Sequence, residues 1–267
     1  MLNVILALTI AMPWLQFVPP PALPVPQRSG LAPVNGIHLW YAEFGTGKPV
    51  IFLHGGLANA NYWGHQVRAL ESHYRVIVLD SRGHGRSTRT NTPLSYTLMA
   101  ADVLALMDYL QVRNAALVGW SDGAIVGLEI VLRHPERVTK LFAFGANSNP
   151  GALILTPHPS DRAFFEEAMR QYRALSPTPQ GFKSLLMDDE KMSSREPHFT
   201  ALQLRTIKVP TWIVAGDHDQ SIERSDTDFM AAQIPGAYEL ILPGVGHDAP
   251  LQDPAFFSAA LLHFMGY

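Results

Sequence analysis

The stretch ALVGWSDGAIVGLEI, residues 115–129, places one serine between two glycines, directly after an apolar run. Residues 115–118 predict a short buried strand, and residues 122–132 predict a helix. Ser121 stands at the corner between them and matches the G-x-S-x-G pattern, in which a strained strand-to-helix turn exposes the serine hydroxyl. The pattern alone is common, but its position between a strand and a helix makes Ser121 the candidate nucleophile.

The candidate nucleophile needs partners from elsewhere in the chain. A serine hydroxyl requires a base, and a histidine base requires a carboxylate that fixes its tautomer. Two strand–loop segments downstream supply both residue types, and His247 is the candidate base. Asp217 and Asp219 are both candidates for the acid. Asp219 is favoured because it lies three residues after Gly216, in a G-x-x-D pattern typical of such a loop.

Acyl transfer also produces an oxyanion, which needs preorganised hydrogen-bond donors. One predicted donor is the backbone amide of Asp122, at the N-terminus of the helix that follows the serine. The second is expected from HGGLANA, residues 54–60, which follows a predicted buried strand. Within this segment Gly56 is favoured over Leu57.

The order of predicted elements indicates the fold class. From residue 36 onward, short apolar strands alternate with helical segments. This alternation predicts an α/β fold with a mostly parallel central sheet and helices on both faces. Residues 95–110 predict one of these helices, with Ser95 as its cap. Its expected inward residues are Leu98, Ala101 and Leu104, with Val103 and Met107 as further candidates.

The chain is expected to divide into three parts. Residues 1–32 form an apolar N-terminal segment and a proline-rich linker, whereas residues 33–148 and 207–267 form the core. Residues 149–206 are rich in proline and read as a small helical cap over the carboxyl edge of the sheet, where open parallel sheets bind ligands. An ordinary long crossover is the alternative. The expected substrate-binding residues, for which plain packing is the alternative role, are Leu57, Trp120, Asp122, Leu153, Phe164, Phe165 and Met187.

Composition excludes several classes of function. A chain of 267 residues with 47% apolar and 16% charged residues suits one globular enzyme. A net charge of −3 without a long basic run gives no electrostatic surface for nucleic acid. The absence of cysteine excludes disulfides, thiolate metal sites and a cysteine nucleophile. No zinc-like ligand spacing or dinucleotide fingerprint occurs, so the expected partner is a small molecule and no cofactor or metal is expected.

The N-terminus leaves two hypotheses open. Residues 1–18 are mostly apolar, and a proline-rich stretch follows them. They form either an export signal, although one without a basic residue near Met1, or an arm that stays attached. The protein is accordingly either exported or cytoplasmic, its oligomeric state is open, and any membrane contact would run through residues 1–18. If the segment tethers the protein to a membrane or a partner protein, truncation before residue 28 should change solubility and oligomer size but not activity.

Together these motifs resemble the α/β-hydrolase fold family from about residue 33 to the C-terminus. The motifs are His54–Gly56, Asp80–Ser87, Gly119–Gly123, Gly216–Asp219 and Gly246–His247. The resemblance implies a Ser-His-Asp catalytic triad, and the serine excludes the haloalkane dehalogenase branch, whose nucleophile is a carboxylate. GWSDG followed by FGAN is also similar to the valacyclovirase group, which hydrolyses α-amino-acid esters. That similarity implies that Asp122 binds the substrate ammonium; the alternative is that Asp122 only caps the helix.

The leading hypothesis is a cofactor-independent carboxylesterase that works through an acyl-enzyme intermediate. An α-amino-acid ester hydrolase, an amidase, a lactonase, a carbon–carbon hydrolase and a perhydrolase would use the same residues. A ligand-binding homologue without turnover is a different class, because the fold by itself does not determine function. A structural or membrane-tethered protein is a third class, and it depends only on the apolar N-terminal segment.

Overall fold

The computed structural model describes residues 12–266 and is built around one sheet. Its strands are β1 (Arg28–Val34), β2 (Ile37–Phe44), β3 (Pro49–Leu53), β4 (Arg75–Leu79), β5 (Ala115–Trp120), β6 (Val138–Phe144), β7 (Thr211–Gly216) and β8 (Tyr238–Leu242). The spatial order is β1-β2-β4-β3-β5-β6-β7-β8. Only the β1–β2 and β2–β4 pairs are antiparallel within this sheet. The predicted α/β fold with a mostly parallel sheet is confirmed.

Helices cover both faces of the sheet. They are α1 (Gly64–Leu70), α2 (Tyr96–Tyr109), α3 (Asp122–Arg133), α4 (Asp161–Leu175), α5 (Phe182–Ser193), α6 (Ala201–Leu204), α7 (Arg224–Gln233), α8 (Ala249–Gln252) and α9 (Pro254–Met265). One apolar core joins α2, α3 and α7 to the sheet, and a second joins α1, α8 and α9 to its other face. Because both faces are covered, every residue of β5 is buried, as its continuous apolar sequence predicts.

Helix α2 shows where periodicity succeeds and where it fails. The Ser95 hydroxyl accepts a hydrogen bond from the Leu98 amide at 3.2 Å, so the predicted cap is confirmed. Val103 and Met107 are buried as expected, but Ala101 is exposed. The prediction for Ala101 was wrong because apolar residues occur on nearly every side of this helix. Its sequence therefore does not determine which side faces the core.

Two segments outside the sheet lie near its carboxyl edge. Residues 149–206, which we call the cap segment, connect β6 to β7 and contain α4, α5 and α6. Residues 12–27, which we call the arm, precede β1 and contain one short 3₁₀ turn at Pro13–Leu15. Within residues 12–266, none of the helices combines the length and the apolar character needed to cross a bilayer. Phe17 of the apolar segment and Leu23 of the proline-rich stretch both contact the second core, so the arm packs on the domain.

Candidate active site

The turn between β5 and α3 holds Ser121 in a conformation that few residues adopt. Its φ of 55° and ψ of −121° lie outside the ordinary regions for an L-residue, and its amide donates to the Phe144 carbonyl at 2.8 Å. A Cβ on Gly119 would lie 2.4 Å from the Gly123 carbonyl oxygen, and one on Gly123 would lie 2.1 Å from the Leu53 carbonyl oxygen. Both glycines are therefore required by close backbone contacts, which make the sharp turn around the serine.

The loops after β7 and β8 bring an acid to a histidine. His247 Nδ1 lies 3.0 Å from Asp219 Oδ2 and 3.1 Å from Asp219 Oδ1. Asp219 Oδ1 also accepts hydrogen bonds from the amides of Ser221 and Ile222, at 2.9 and 3.0 Å. These amides fix the carboxylate in the orientation that holds the ring. Such a contact fixes the tautomer, because the Nδ1 proton is donated to the carboxylate and Nε2 remains free to accept a proton.

The neighbouring aspartate has another role. Asp217 Oδ1 accepts a hydrogen bond from the Val245 amide at 3.2 Å and so joins the same two loops through backbone. The carboxylate that contacts His247 is that of Asp219, the candidate that the G-x-x-D spacing favours. Gly145 makes room for the ring, since a Cβ there would lie 2.7 Å from His247 Cε1.

A cavity of about 290 Å³ lies where β3, β5, β7 and β8 end. The candidate nucleophile and base both line it, and so do Gly56 and six of the seven predicted substrate-binding residues. The full lining consists of Gly55, Gly56, Leu57, Trp120, Ser121, Asp122, Leu153, Ser160, Asp161, Phe164, Phe165, Asp189, Ser193, Gln220, Ser221, Ile222, His247 and Asp248. The residues expected to act together therefore meet around one space.

Met187 is the predicted pocket residue that does not line this cavity. It is 59% exposed on α5, whereas Phe182, Leu185 and Met192 are the buried apolar residues of that helix. Met187 lies two positions after Leu185, which places it about 200° around the helix from that inward residue. The expectation was wrong because the apolar character of one cap residue does not give its direction.

The loop after β3, which carries the candidate oxyanion donors, is held by a buried histidine. The Ser81 amide donates to His54 Nε2 at 2.9 Å, so the ring proton is on Nδ1 and is donated to the Gly55 carbonyl at 2.7 Å. Burial lowers the pKa of His54 to about 4, which keeps the ring neutral at ordinary pH. Next in the loop, a Cβ on Gly56 would lie 2.9 Å from Asp122 Oδ2. Only glycine fits this approach without displacing the carboxylate.

Two carboxyl groups meet at one wall of the cavity. Asp122 Oδ1 accepts a hydrogen bond from the Tyr96 hydroxyl at 2.8 Å. The carboxyl group of Asp189 on α5 lies beside that of Asp122, since a Cβ on Gly56 would lie 2.9 Å from Asp122 Oδ2 and 3.0 Å from Asp189 Oδ2. Asp122 Oδ2 and Asp189 Oδ1 are buried, and no N–H or hydroxyl group of residues 12–266 donates to them. Burial raises the pKa of Asp122. Burial, together with the charge of Asp122, raises the pKa of Asp189 well above its usual value. In the free protein, one proton shared by the pair is the consequence.

Two residues of this site, Asp189 and Tyr96, were not identified from the sequence. Asp189 lies in the acidic run MDDE of α5, where each acid is equally suited to a solvated face. The sequence predicts Tyr96 only as the first residue after the helix cap Ser95. No local signal distinguishes either residue, because their positions depend on how α5 and α2 pack against the turn at Ser121. Among residues 12–266, no group of three or more His, Asp or Glu side chains is arranged to hold a metal ion.

Electrostatics around His247 gives a prediction about pH. Burial opposes protonation of the ring, but the Asp219 charge and hydrogen bond outweigh it, so the pKa of His247 is raised above its usual 6.5. Burial raises the pKa of the adjacent Asp248 to about 6, and its carboxylate adds to the positive shift of His247. Because the base must be neutral to accept a proton, we expect kcat/KM to rise with pH. The midpoint of this acid limb should lie above pH 6.5.

Replacing Asp248 with asparagine should therefore move the acid limb of kcat/KM to lower pH, because a negative charge that favours protonated His247 is lost. Glu190→Gln is the matched control, since it removes the same charge from the exposed face of α5 and should leave the limb in place. A full pH profile of kcat/KM for the three proteins is the measurement. A limb that moves upward, or that moves equally in both variants, would contradict the assigned electrostatics.

Known proteins share both the sequence pattern and the architecture. The model of the α/β hydrolase fold family matches residues 48–184. The RutD protein of Caulobacter sp. (strain K31), named for carbamate hydrolysis, is 29% identical over 245 residues, which cover 82% of this chain and 91% of that protein. The 2-hydroxy-6-oxo-6-(2'-aminophenyl)hexa-2,4-dienoic acid hydrolase of Metapseudomonas resinovorans is 28% identical over 268 residues, covering 86% and 88%.

A solved structure is similar to this chain in its three-dimensional fold. Est816, described as an N-acyl homoserine lactone degrading enzyme, superimposes with a TM-score of 0.69 at 26% identity. The match covers 89% of this chain and 100% of the Est816 chain. The names of these relatives concern a carbamate, a substituted hexadienoic acid and an N-acyl homoserine lactone, so two of them name a hydrolase, the third names a degrading enzyme, and all three differ in the substrate.

Proposed function

Because this chain belongs to the α/β-hydrolase fold family, we propose that it is a serine hydrolase that cleaves carboxylic esters through an acyl-enzyme intermediate. One observation carries the proposal: Asp219 contacts His247, and His247 and Ser121 line the same cavity. Nucleophilic acyl transfer needs an exposed serine hydroxyl, an unprotonated histidine nitrogen to accept its proton, and a carboxylate that holds the histidine. The strained turn, Nε2 of His247 and Asp219 supply these three groups. The combination supports an enzyme over a protein that only binds a ligand.

The proposed reaction uses these groups in two halves. Ser121 Oγ attacks the ester carbonyl carbon while His247 Nε2 takes the hydroxyl proton, and the backbone amides of Asp122 and Gly56 receive the oxyanion. Collapse of the intermediate breaks the bond to the alkoxy oxygen, which leaves as an alcohol with the proton from His247. Water then attacks the acyl-enzyme with His247 as base again. This second half releases the carboxylic acid and restores the serine.

The cavity gives the proposed substrate a size and a polarity. Leu153, Phe164 and Phe165 from the cap segment supply an apolar wall, which suits an acyl chain or an aromatic acid. A volume of about 290 Å³ fits a small molecule rather than a polymer. The relatives' names do not exclude an ester, because lactones are cyclic esters and carbamates present a carbonyl carbon to the same nucleophile.

Turnover of a short-chain p-nitrophenyl ester tests this proposal, with labelling by a serine-reactive phosphonate as an independent measure of the nucleophile. We expect both turnover and labelling, and mass spectrometry should place the adduct on Ser121. Labelling without ester turnover would restrict the proposal to another acyl substrate. No labelling and no turnover would overturn the enzyme and favour the ligand-binding class.

An α-amino-acid ester hydrolase is the second candidate, and a specific observation favours it. The oxygens Asp122 Oδ2 and Asp189 Oδ1 both lie next to Gly56, at 2.9 and 3.1 Å from where its Cβ would stand, and neither receives a hydrogen bond from the described chain. An ammonium group has three N–H donors, enough to satisfy both oxygens and to replace the proton that they otherwise share. An α-amino group on the acyl part of the substrate would stand at this wall when its carbonyl carbon is next to Ser121.

Replacing Asp122 with asparagine tests this second candidate. We expect kcat/KM for an α-amino-acid ester to fall by roughly tenfold to a hundredfold, the usual effect of losing a hydrogen bond to a charged group. A neutral ester of similar size should change by less, and Asp189→Asn should show the same preference. Paired kinetics on the two esters is the measurement. Equal losses on both would mean that Asp122 only supports the turn and that the enzyme is a general carboxylesterase.

A further inference from the structure

The arm is in contact with the loop that carries the candidate acid. The indole ring of Trp14 stacks on the His218 ring with centroids 3.9 Å apart and planes 9° from parallel. His218 is the residue directly before Asp219, and its amide donates to the Val245 carbonyl at 3.1 Å. The stack therefore covers the outer side of the loop whose inner side presents the Asp219 carboxylate to His247.

The same arm also reaches the loop that carries the candidate base. Gln252 Nε2 donates to the Gln16 carbonyl at 3.1 Å, and Gln252 Oε1 accepts from the Gly246 amide at 2.7 Å. Gly246 directly precedes His247. One glutamine side chain thus links the backbone of the arm to the backbone that orients the histidine.

A third contact joins the arm to the cap segment. Phe17 packs edge-on against Phe164 of α4, with centroids 5.6 Å apart and planes at 85°. It also lies against Tyr62, at 6.4 Å between centroids. Phe164 lines the catalytic cavity, so Phe17 supports one of its walls from behind.

These contacts join three parts of the site that come from distant points in the chain. Catalysis requires reacting groups to be held within a fraction of an ångström, and a displacement of 1 Å can cost about a hundredfold in rate. The acid loop and the base loop are both irregular, so their geometry depends on what packs against them. We propose that the arm is a positioning element of the catalytic site: Trp14 and Gln16 hold the acid and base loops, and Phe17 holds the cap wall.

The proposal rests on the proposed serine hydrolase function, and it changes one expectation. As a tether alone, the N-terminal segment can be removed without loss of activity. As a positioning element, its removal lowers turnover. Point variants of the full chain separate these two consequences better than truncation, because they leave the described contacts of the rest of the arm in place.

Four variants form the test: Trp14→Ala, Trp14→Phe, Phe17→Ala and the control Val25→Ala, whose side chain is 92% exposed on the same arm. Trp14→Ala should lower kcat by about tenfold or more with little change in KM, because it loosens the acid loop. Trp14→Phe keeps a stacking ring and should recover most of the loss. Phe17→Ala should instead raise KM, because it loosens the cavity wall. The control should match the wild type.

A double variant tests the route of the effect. If Trp14 acts through His218, the double variant Trp14→Ala/His218→Ala should show the same decrease in kcat as the more impaired of the two single variants, to within about twofold. Thermal unfolding of each variant shows whether a loss is one of general stability. Losses of kcat that disappear when the assay is cooled well below each variant's Tm would overturn the positioning role, as would a Trp14→Ala protein with wild-type kcat.

The rate of phosphonate labelling at Ser121 separates failure of this proposal from failure of the proposed function. A wild-type protein that is not labelled refutes the serine hydrolase, and the positioning role falls with it. A wild-type protein that is labelled, together with a Trp14→Ala protein that is labelled at the same rate, refutes only the positioning role. Slower labelling of Trp14→Ala, recovered in Trp14→Phe, supports both.

Discussion

Replacing Ser121 with alanine should lower kcat for ester hydrolysis by roughly 10⁴- to 10⁶-fold while the fold is unchanged. Alanine keeps the Cβ, so the close packing of Gly55, whose own Cβ would lie 3.1 Å from that of Ser121, is not disturbed. It also keeps the backbone strain of the turn, at a φ of 55°. Only the nucleophilic oxygen is lost. Steady-state kinetics on a p-nitrophenyl ester and the loss of phosphonate labelling measure the effect.

The control for this variant is Ser194→Ala, which removes a hydroxyl from an exposed position just after α5. We expect it to retain wild-type kinetics and labelling. A circular dichroism spectrum and a Tm close to those of the wild type would show that the Ser121 variant is folded. If a folded, pure Ser121→Ala protein kept a large share of turnover, the covalent mechanism would be wrong, and another group would have to activate water directly.

Replacing Asp219 with asparagine should have the next largest effect, a fall in kcat of roughly 10³- to 10⁴-fold. The carboxylate contacts His247 Nδ1 through both oxygens, at 3.0 and 3.1 Å. Asparagine has no charge to stabilise the imidazolium and can present an N–H to Nδ1, which would favour the wrong tautomer. Burial lowers the pKa of His247, but the Asp219 carboxylate raises it by more. Without that charge, the pKa of His247 should fall in the variant. Kinetics at saturating ester and a pH profile are the measurements.

Asp217→Asn is the matched comparison, since it makes the same chemical change two residues earlier. Asp217 accepts a hydrogen bond from the Val245 amide and does not contact His247. An asparagine oxygen can accept the same hydrogen bond. We expect a change in kcat of about tenfold at most, through small movements of the loop. A larger loss in Asp217→Asn than in Asp219→Asn would reverse the assignment of the acid.

Much of the fold could be predicted because its signals are local. β5 is apolar throughout, and the glycines around Ser121 are required by neighbours close in sequence as well as by the adjacent strand. Helix α4 likewise coincides with one local stretch of sequence, DRAFFEEAMRQYRAL, and spans Asp161–Leu175. Such features survive in any fold that buries the strand and turns sharply, so the residues alone suffice to predict them.

Features that depend on the direction of a helix were less predictable. In α5 the sequence pointed to Met187 as a pocket residue, whereas Asp189 is the residue of that helix that reaches Asp122. In α2 the cap was predicted but Ala101 was assigned to the wrong side. Both errors have one physical cause. The side of a helix that faces inward is decided by the surface it packs on, and that surface is built from other parts of the chain.

The sequence by itself determined the mostly parallel sheet, the strained turn at Ser121 and a short set of candidate partners, because glycine requirements and apolar strands act over a few residues. Only the tertiary structure decided which aspartate contacts His247, because the two loops come from β7 and β8 and meet in space. It also brought Asp189 to Asp122 and set the arm against the loops that carry Asp219 and His247. These contacts join residues far apart in the chain, and packing of the whole domain, rather than any local pattern, determines their positions.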